Sequence, residues 1–156
     1  DEWDQRTFPS LNKWIDNTRP NRQHTQGQRD YVLMRLADAY LIRAEARLKQ
    51  GNSSGAASDI NVIRTRAAWD GKEADMQITA ADVDVDMILD ERARELVGEN
   101  HRWFDLTRMG KLVERVRLYN SDAQANIQSH HVVRPIPLSQ IDRTSGGYAQ
   151  NPGYAQ

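Results

Sequence analysis

Cysteine is absent from the 156 residues. That removes disulfides, thiol nucleophiles and cysteine-ligated zinc from the chemistry open to this chain. It leaves the compartment open, because a helical domain of this length needs no covalent staples. No run of about 18 apolar residues occurs, so no segment reads as a membrane-spanning helix. An excess of either charge is also missing: 21 Lys and Arg face 22 Asp and Glu, for a formal net charge of −1. A dedicated nucleic-acid binder carries a clear basic surplus, so the balance argues against that class. The start, Asp1-Glu2-Trp3-Asp4, has no initiator Met, basic region or apolar leader. It reads as a processed end or, as the rest of the chain favours, as part of something longer. What remains is 28% charged and 38% apolar residues, an ordinary globular mix on the polar side.

The pattern along the chain predicts an all-α fold: an extended or loop lead-in over 1–29, helices over 30–118, and an irregular tail over 119–156. The lead-in is broken by Pro9, Pro20 and Gly27 and is expected to pack through Trp3, Phe8, Leu11, Trp14 and Ile15. Over 30–50, Leu33, Leu36, Ala37, Tyr40, Leu41, Ala44 and Leu48 recur at helical spacing, with Asp30 as the expected N-cap and Gly51 as the stop. Arg35, Asp38, Arg43 and Lys49 fall on the opposite, polar face. Asn52-Ser53-Ser54-Gly55 reads as a turn in which Ser53 or Ser54 caps a second helix over 55–68, with Ala56, Ile60, Ile63 and Ala67 inward. So short a link predicts antiparallel neighbours, a hairpin of tetratricopeptide-like character. After a loop over 69–81, a third helix is expected over 82–98 with Val85, Ile88, Leu89, Leu96 and Val97 inward. A fourth over 101–109 is anchored by Trp103, Phe104 and Leu106, and another turn or two follows Gly110. Pro135, Pro137 and Pro152 make the tail irregular, with a β-like run at Val132-Val133, laid over the helices rather than forming a separate domain.

Three constellations invite a chemical reading. Glu91, Glu95 and Glu99 stand at i, i+4 and i+8, and paired carboxylates run glycoside hydrolysis when they flank an open cleft. Arg92, Arg94, Arg102 and Arg108 interleave with them, and Asp105 lies three residues from both Arg102 and Arg108. Arginine forks favour the ionised carboxylate and so lower its pKa, whereas a general acid needs it raised. The expectation is a structural ion-pair lattice that braces the third helix against the fourth, with Trp103 as a buried wedge. Asp82-Val83-Asp84-Val85-Asp86 imitates the opening of a calcium loop, but Met87 and Ala93 stand where Gly and Glu belong. An acidic first helical turn is the simpler reading. His130 and His131 are adjacent and expected to project apart, His24 and His101 are isolated, and no metal-binding His spacing, nucleophile elbow or phosphate-cradling glycine loop is present. No catalytic residue, metal ligand or cofactor is expected.

Several stretches together carry a family likeness. They are Arg35-Leu36-Ala37-Asp38-Ala39-Tyr40-Leu41-Ile42-Arg43-Ala44-Glu45-Ala46, then Asp59-Ile60-Asn61-Val62-Ile63-Arg64-Thr65-Arg66-Ala67, then Ile88 to Leu96, then Glu99-Asn100-His101-Arg102-Trp103-Phe104-Asp105-Leu106-Thr107-Arg108. Pro135-Ile136-Pro137 and Gln150-Asn151-Pro152-Gly153-Tyr154 close the series. In this order, over about 30–154, they resemble the C-terminal region of the SusD/RagB family. The resemblance implies a fragment of a longer, non-enzymatic lipoprotein on the cell surface of a Bacteroidetes-type bacterium. It implies membrane attachment through an N-terminal lipid anchor absent from this chain. It further implies capture of oligosaccharides, or sometimes peptides, and delivery to a SusC-like, TonB-dependent outer-membrane transporter.

Sugar binding requires a flat aromatic face for the C–H surface and planar polar groups for the hydroxyls. Trp3, Trp14, Trp69 and Tyr119 are the candidates. Trp69 with Asp70 is preferred because the pair falls in a loop. The resemblance transfers no binding residue one by one, since the family's recognition surface lies mostly N-terminal to this region. The alternative from a different class is a generic tetratricopeptide-like protein-interaction module. It accounts for the hairpin but not for the two tail motifs.

Overall fold

The computed structural model describes residues 11–21 and 23–155. Among them all regular structure is helical, and no strand occurs. The α-helices are α1 (Leu36–Lys49), α2 (Ser53–Ala67), α3 (Val85–Glu95), α4 (Arg102–Arg108), α5 (Leu112–Tyr119) and α6 (Leu138–Asp142). Short 3₁₀ turns cover Ala74–Met76, Ala80–Asp82 and Ser129–Val132. The all-α expectation holds. The chain forms two compact units, Asp1–His101 and Arg102–Gln156. Trp3 and Phe8 lie outside the described residues.

In the first unit α1 starts later than its periodicity suggests. Arg35, not Asp30, is the N-cap, and its backbone is extended. Leu33 is 81% and Leu36 71% exposed, so the buried stripe begins at Ala37 and continues through Leu41 and Ala44. Tyr40 and Leu48 pack against its edge. Asp38, expected on the polar face, is buried. The helix ends where Gly51 takes φ 79°. Its N–H donates to the Leu48 carbonyl at 2.9 Å, and the Asn52 N–H donates to the Arg47 carbonyl at 2.9 Å. This is the paired-bond helix stop that needs a left-handed residue, which glycine supplies without strain.

Asn52 then caps α2, its Oδ1 accepting from the Gly55 N–H at 2.8 Å. The sequence pointed to Ser53 or Ser54 for this role. Gly55 is required by the cap itself, because a Cβ there would stand 2.6 Å from Asn52 Nδ2. The two helices are joined by Gln50, Gly51 and Asn52 alone and pack as a hairpin. Ala44, Ala56 and Ala57 are buried in the shared cluster with Leu41, Ile60 and Ile63. Small side chains there let the helix axes approach closely. Ala67 is exposed, since the last turn of α2 runs beyond the core.

The loop after α2 is held by polar side chains. Asn61 brackets Ile78, its Nδ2 donating to the Ile78 carbonyl and its Oδ1 accepting from the Ile78 N–H, both at 2.9 Å. Asp82 Oδ2 accepts from the Thr79 N–H at 2.8 Å and from its Oγ1 at 2.7 Å. Asp84 caps α3, accepting from the Met87 N–H at 2.7 Å. Two of the three acidic residues in the calcium-like run are therefore engaged in turn and cap hydrogen bonds. Ile88, Leu89 and Leu96 are buried as expected, whereas Val97 is exposed beyond the helix end.

In the second unit Leu106 and Leu112 are buried, but Phe104 is 67% exposed and does not anchor the helix. Trp103 is half-buried rather than a fully enclosed wedge, with the Arg134 guanidinium 5.2 Å above its ring. The expected β-like run at Val132-Val133 is instead the end of a 3₁₀ turn. Adjacent residues in such a turn bring the His130 and His131 rings together, centroids 4.2 Å apart, with Tyr154 edge-on to His130 at 4.9 Å. The two do not project apart as a regular helix or strand would make them. The tail is clasped by its own motifs. Ile136 stands between two prolines, and its N–H donates to Gln150 Oε1 at 2.7 Å while its carbonyl accepts from Gln150 Nε2 at 2.9 Å. Asn151 Nδ2 donates to the Arg134 carbonyl, and Tyr154 OH to the Val133 carbonyl, both at 2.7 Å.

Leu41→Ala is expected to cost about 2–5 kcal/mol because the side chain is fully enclosed. Leu36→Ala should stay within about 0.5 kcal/mol although both leucines lie on the same sequence stripe. Trp103→Ala should fall between, at about 1–3 kcal/mol for a half-buried ring. Chemical denaturation of the three variants checks the order.

Candidate functional site

The acidic side chains of α3 and its C-terminal turn are the first candidates, and they are paired across the first unit. Glu91 Oε2 accepts from Arg64 of α2 through Nε at 3.1 Å and Nη2 at 2.9 Å, and from Arg94 Nη2 at 2.8 Å. Glu95 Oε1 accepts from Arg35 Nη1 and from Arg66 Nη2, the latter at 2.6 Å. Glu99 lies beyond the helix, where Gly98 turns the chain at φ 77°. Its two carboxylate oxygens share the Arg35 Nε–H at 2.9 and 3.0 Å, and Oε1 also accepts from Lys13 Nζ at 2.7 Å.

Lys13 also donates to the Glu95 and Val97 carbonyls at 3.0 Å each, closing the negative end of α3. Beside it, Trp14 Nε1 donates to the Gly98 carbonyl at 2.9 Å, and the Trp14 ring stacks on Tyr31 at 4.8 Å. Trp14 is therefore a structural ring, not a presented one. A Cβ on Gly98 would sit 2.4 Å from Leu11 Cδ2, so the lead-in can lie this close only over a glycine.

Further pairs extend the lattice. Asp38 of α1 and Arg92 of α3 meet at 2.8 Å, both only 4% exposed. Asp59 of α2 receives Arg43 at 2.6 Å and Arg47 at 2.9 Å from α1. In the second unit Asp105 takes Arg108 Nε at 3.2 Å and Nη2 at 2.8 Å.

The electrostatic consequence is clearest at Glu99. Burial pushes its carboxyl up, but hydrogen bonds from Lys13 and Arg35 outweigh that and hold it below the ordinary carboxylate value. For Arg35, burial works against the charge, and the hydrogen bonds of Glu95 and Glu99 outweigh it, so the guanidinium is raised. The Asp59 hydrogen bond likewise raises Arg43. A carboxyl shifted downward is a poor proton donor near neutrality, so Glu99 is unsuited to general-acid work.

Sequence spacing identified the acids and their near neighbours, Arg94 for Glu91 and Arg108 for Asp105, but not the partners from other elements. Arg35, Arg64, Arg66 and Lys13 come from 27 to 86 residues away, and helical spacing reports only neighbours three or four apart. The missed signal was Asp59, an acid set among the inward positions Ala56, Ile60 and Ile63.

The ligand candidates named from sequence behave differently from this lattice. Ala68 leaves α2 in extended conformation, and the Lys72 N–H donates to the Trp69 carbonyl at 2.8 Å, closing a tight turn. Gly71 takes the left-handed φ of 76° that this turn requires. The turn leaves Trp69 86% exposed. With Ala67, Ala68 and Asp70 it lines an open depression of about 350 Å³. Tyr119 is also exposed but is covered on one side by the Arg115 guanidinium, 5.4 Å from its ring. Among the described residues no cluster of three or more metal-ligating His, Asp or Glu occurs.

The profile of the SusD family matches residues 2–154. The chain belongs to the SusD family. It is 34% identical to the SusD-like protein P25 of Formosa agariphila, over 90% of this chain and 29% of that protein. It is also 34% identical to the starch-binding protein SusD of Bacteroides thetaiotaomicron, over 93% of this chain and 26% of that one. A second Formosa agariphila relative, the SusD-like protein P2, is 33% identical over 80% and 26% respectively. The chain thus spans between a quarter and a third of the length of these SusD-family relatives. No solved structure matches it. The family is one of non-enzymatic, carbohydrate-binding proteins.

Because its carboxyl is lowered in the folded state, Glu99 stabilises the fold above its ordinary value of 4.5, and this contribution is lost as pH falls through the folded value. Glu99→Gln should cost about 1–3 kcal/mol at neutral pH, since Arg35 and Lys13 lose their charged acceptor. It should also flatten the acid limb of a stability-against-pH curve measured by urea denaturation between pH 7 and pH 3.

Proposed function

We propose that this chain is the C-terminal, helical part of a longer SusD-type surface lipoprotein. That protein binds nutrient oligosaccharides without chemical turnover and passes them to a SusC-like, TonB-dependent transporter in the outer membrane. Its membrane attachment is an N-terminal lipid anchor. The observation that carries the reading is the family match along 2–154, together with 34% identity to a protein named for starch binding.

The chemistry of the first unit supports a non-catalytic role. Glycoside hydrolysis needs two carboxyls facing an open cleft, one of them with a raised pKa. Here Glu91, Glu95 and Glu99 are each engaged by arginine, and Glu99 is shifted in the opposite direction. Their work is to hold the lead-in, α1, α2 and α3 together. Recognition then falls to groups the lattice leaves exposed, with Trp69 and Asp70 as the candidates this chain contributes.

A glycan screen of the full-length protein, followed by calorimetry and by product analysis of the same mixtures, tests this reading. Reversible, saturable binding with the oligosaccharide recovered intact is expected, both for the native protein and for separate Glu91→Gln and Glu95→Gln variants. Cleavage of the bound glycan that either change abolishes would overturn it. So would the absence of binding across neutral and acidic oligosaccharides alike.

A further inference from the structure

We propose that the Trp69–Lys72 turn is a stacking subsite for neutral oligosaccharides, in which the indole lies under a pyranose ring and the Asp70 carboxylate accepts from its hydroxyls. The proposal rests on the glycan-binding reading above and adds to it a place and a ligand class.

The first observation is the exposure of the ring. Tryptophan is among the most buried residues on average, because its large apolar surface is costly to leave in water. Trp69 is 86% exposed, and no ring or hydrogen-bond contact engages its indole among the described residues. It is nevertheless held on a defined turn, with the Lys72 N–H bonded to its carbonyl and Gly71 supplying the left-handed residue. A ring fixed at its backbone and bare on its faces is preorganised to stack on something, so little ordering cost falls on binding.

The second observation is the shape beside it. Ala67 and Ala68 carry only methyl groups, so nothing long covers the indole from the helix side, and the depression holds about 350 Å³. That is near the lower end of the roughly 300–1,000 Å³ typical of small-molecule sites, a fit for one or two sugar rings rather than a long chain.

The third observation is charge, which selects among sugars. Asp70, Glu73 and Asp75 are carried in or just after the turn, and the turn's own ammonium, Lys72, is paired with Asp75 at 2.9 Å. Arg66, the adjacent guanidinium on α2, is turned to Glu95. Glu73 Oε1 accepts from the Gly71 N–H at 3.3 Å, which sets its charge against the same turn. An anionic sugar, sulfated or uronic, would meet like charge while Lys72 and Arg66 are already paired with Asp75 and Glu95. A neutral sugar offers hydroxyl donors that Asp70 can accept, and ionised acceptors make the stronger hydrogen bonds.

The test uses the full-length protein and its Trp69→Ala and Asp70→Asn variants, with native affinity electrophoresis in gels containing soluble starch, xyloglucan, polygalacturonate or carrageenan. Melting midpoints are measured in parallel. The expected result is retardation of the native protein by a neutral glucan. Trp69→Ala should weaken it by about tenfold or more and Asp70→Asn by a smaller factor, with both midpoints unchanged. Equal retardation of native and Trp69→Ala proteins by a neutral glucan would overturn the subsite while leaving the glycan-binding reading standing. Retardation by the acidic polymers alone would overturn the ligand class. A clear fall in the Trp69→Ala melting midpoint would show the indole packed against the protein itself and would also overturn the proposal. Retardation by none of the four polymers would remove the subsite proposal together with the reading it rests on.

Discussion

A carboxylate removed from water must meet a cation or give up its charge, and this demand governs how the first unit is put together. Asp38, Asp59, Glu91 and Glu99 are all buried. Isolated, each ionised group would cost several kcal/mol. The partners come from different elements, so satisfying the acids fixes the elements against one another. Asp38 binds α1 to α3 through Arg92, Asp59 binds α2 to α1 through Arg43 and Arg47, and Glu91 binds α3 to α2 through Arg64. Every pairing among the three helices carries at least one ion pair. Apolar contacts in the shared cluster, among whose members are Leu41 and Ile60, supply the gross stabilisation, at roughly 1.5–3 kcal/mol for each fully buried side chain. They are non-directional, however, and tolerate sliding. The ion pairs tolerate none, because a shift of one helical turn would leave a buried charge without its partner.

The lead-in is recruited by the same demand. Glu99 needs more than Arg35 alone can give, and Lys13 provides it while closing the last carbonyls of α3. A segment with no regular structure thereby acquires a fixed place, through one ammonium, the Trp14 indole N–H and a glycine at 98 that lets it come close. In the second unit the tail obeys a comparable rule with neutral groups. Pro135 and Pro137 have no N–H to offer, so Ile136 alone presents both a donor and an acceptor, and the Gln150 side chain matches both. The two tail motifs that carry part of the family likeness are therefore one structure: a proline-flanked backbone amide and the primary amide that reads it. Gly153 belongs to it as well, since a Cβ there would collide with the His130 ring at 2.4 Å.

What the sequence revealed and concealed follows from the range of the forces involved. The short α6 falls in the tail that reads as irregular, whereas the identity of α1 to α5, the Gly51 stop and most inward positions were legible because they depend on neighbours within four residues. The α1 start was not. Leu33 and Leu36 continue the apolar spacing, but Arg35 is drawn out of the helix toward Glu95 and Glu99, some 60 residues on. Asp38 looked like a surface residue because an acid on a helix usually is one, and only Arg92 makes its burial affordable. Phe104 looked like an anchor because of its size, yet size reports what a residue would gain from burial and not whether a neighbour is there to bury it. The lattice itself was anticipated in kind, but its arginines were sought on the third and fourth helices, whereas Arg64 and Arg66 of α2 and Arg35 at the start of α1 supply most of it.

The division between scaffold and recognition has a physical basis in the choice of arginine. A guanidinium stays charged across the whole accessible range and presents a rigid fork, so a pair such as Arg35 with Glu99, whose carboxyl is held below its ordinary value, keeps its charge state near neutrality. Groups locked in this way are unavailable for proton transfer and have little capacity left to hydrogen-bond an incoming sugar. Any binding chemistry in this unit would then fall to side chains outside the lattice, on turns whose loss would not unlock the helices. The Trp69–Lys72 turn meets that condition. It begins two residues beyond α2 and is closed by its own backbone bond, and its aromatic ring bears no part of the core. A site placed there can vary in ring, charge and loop length without disturbing a single buried ion pair.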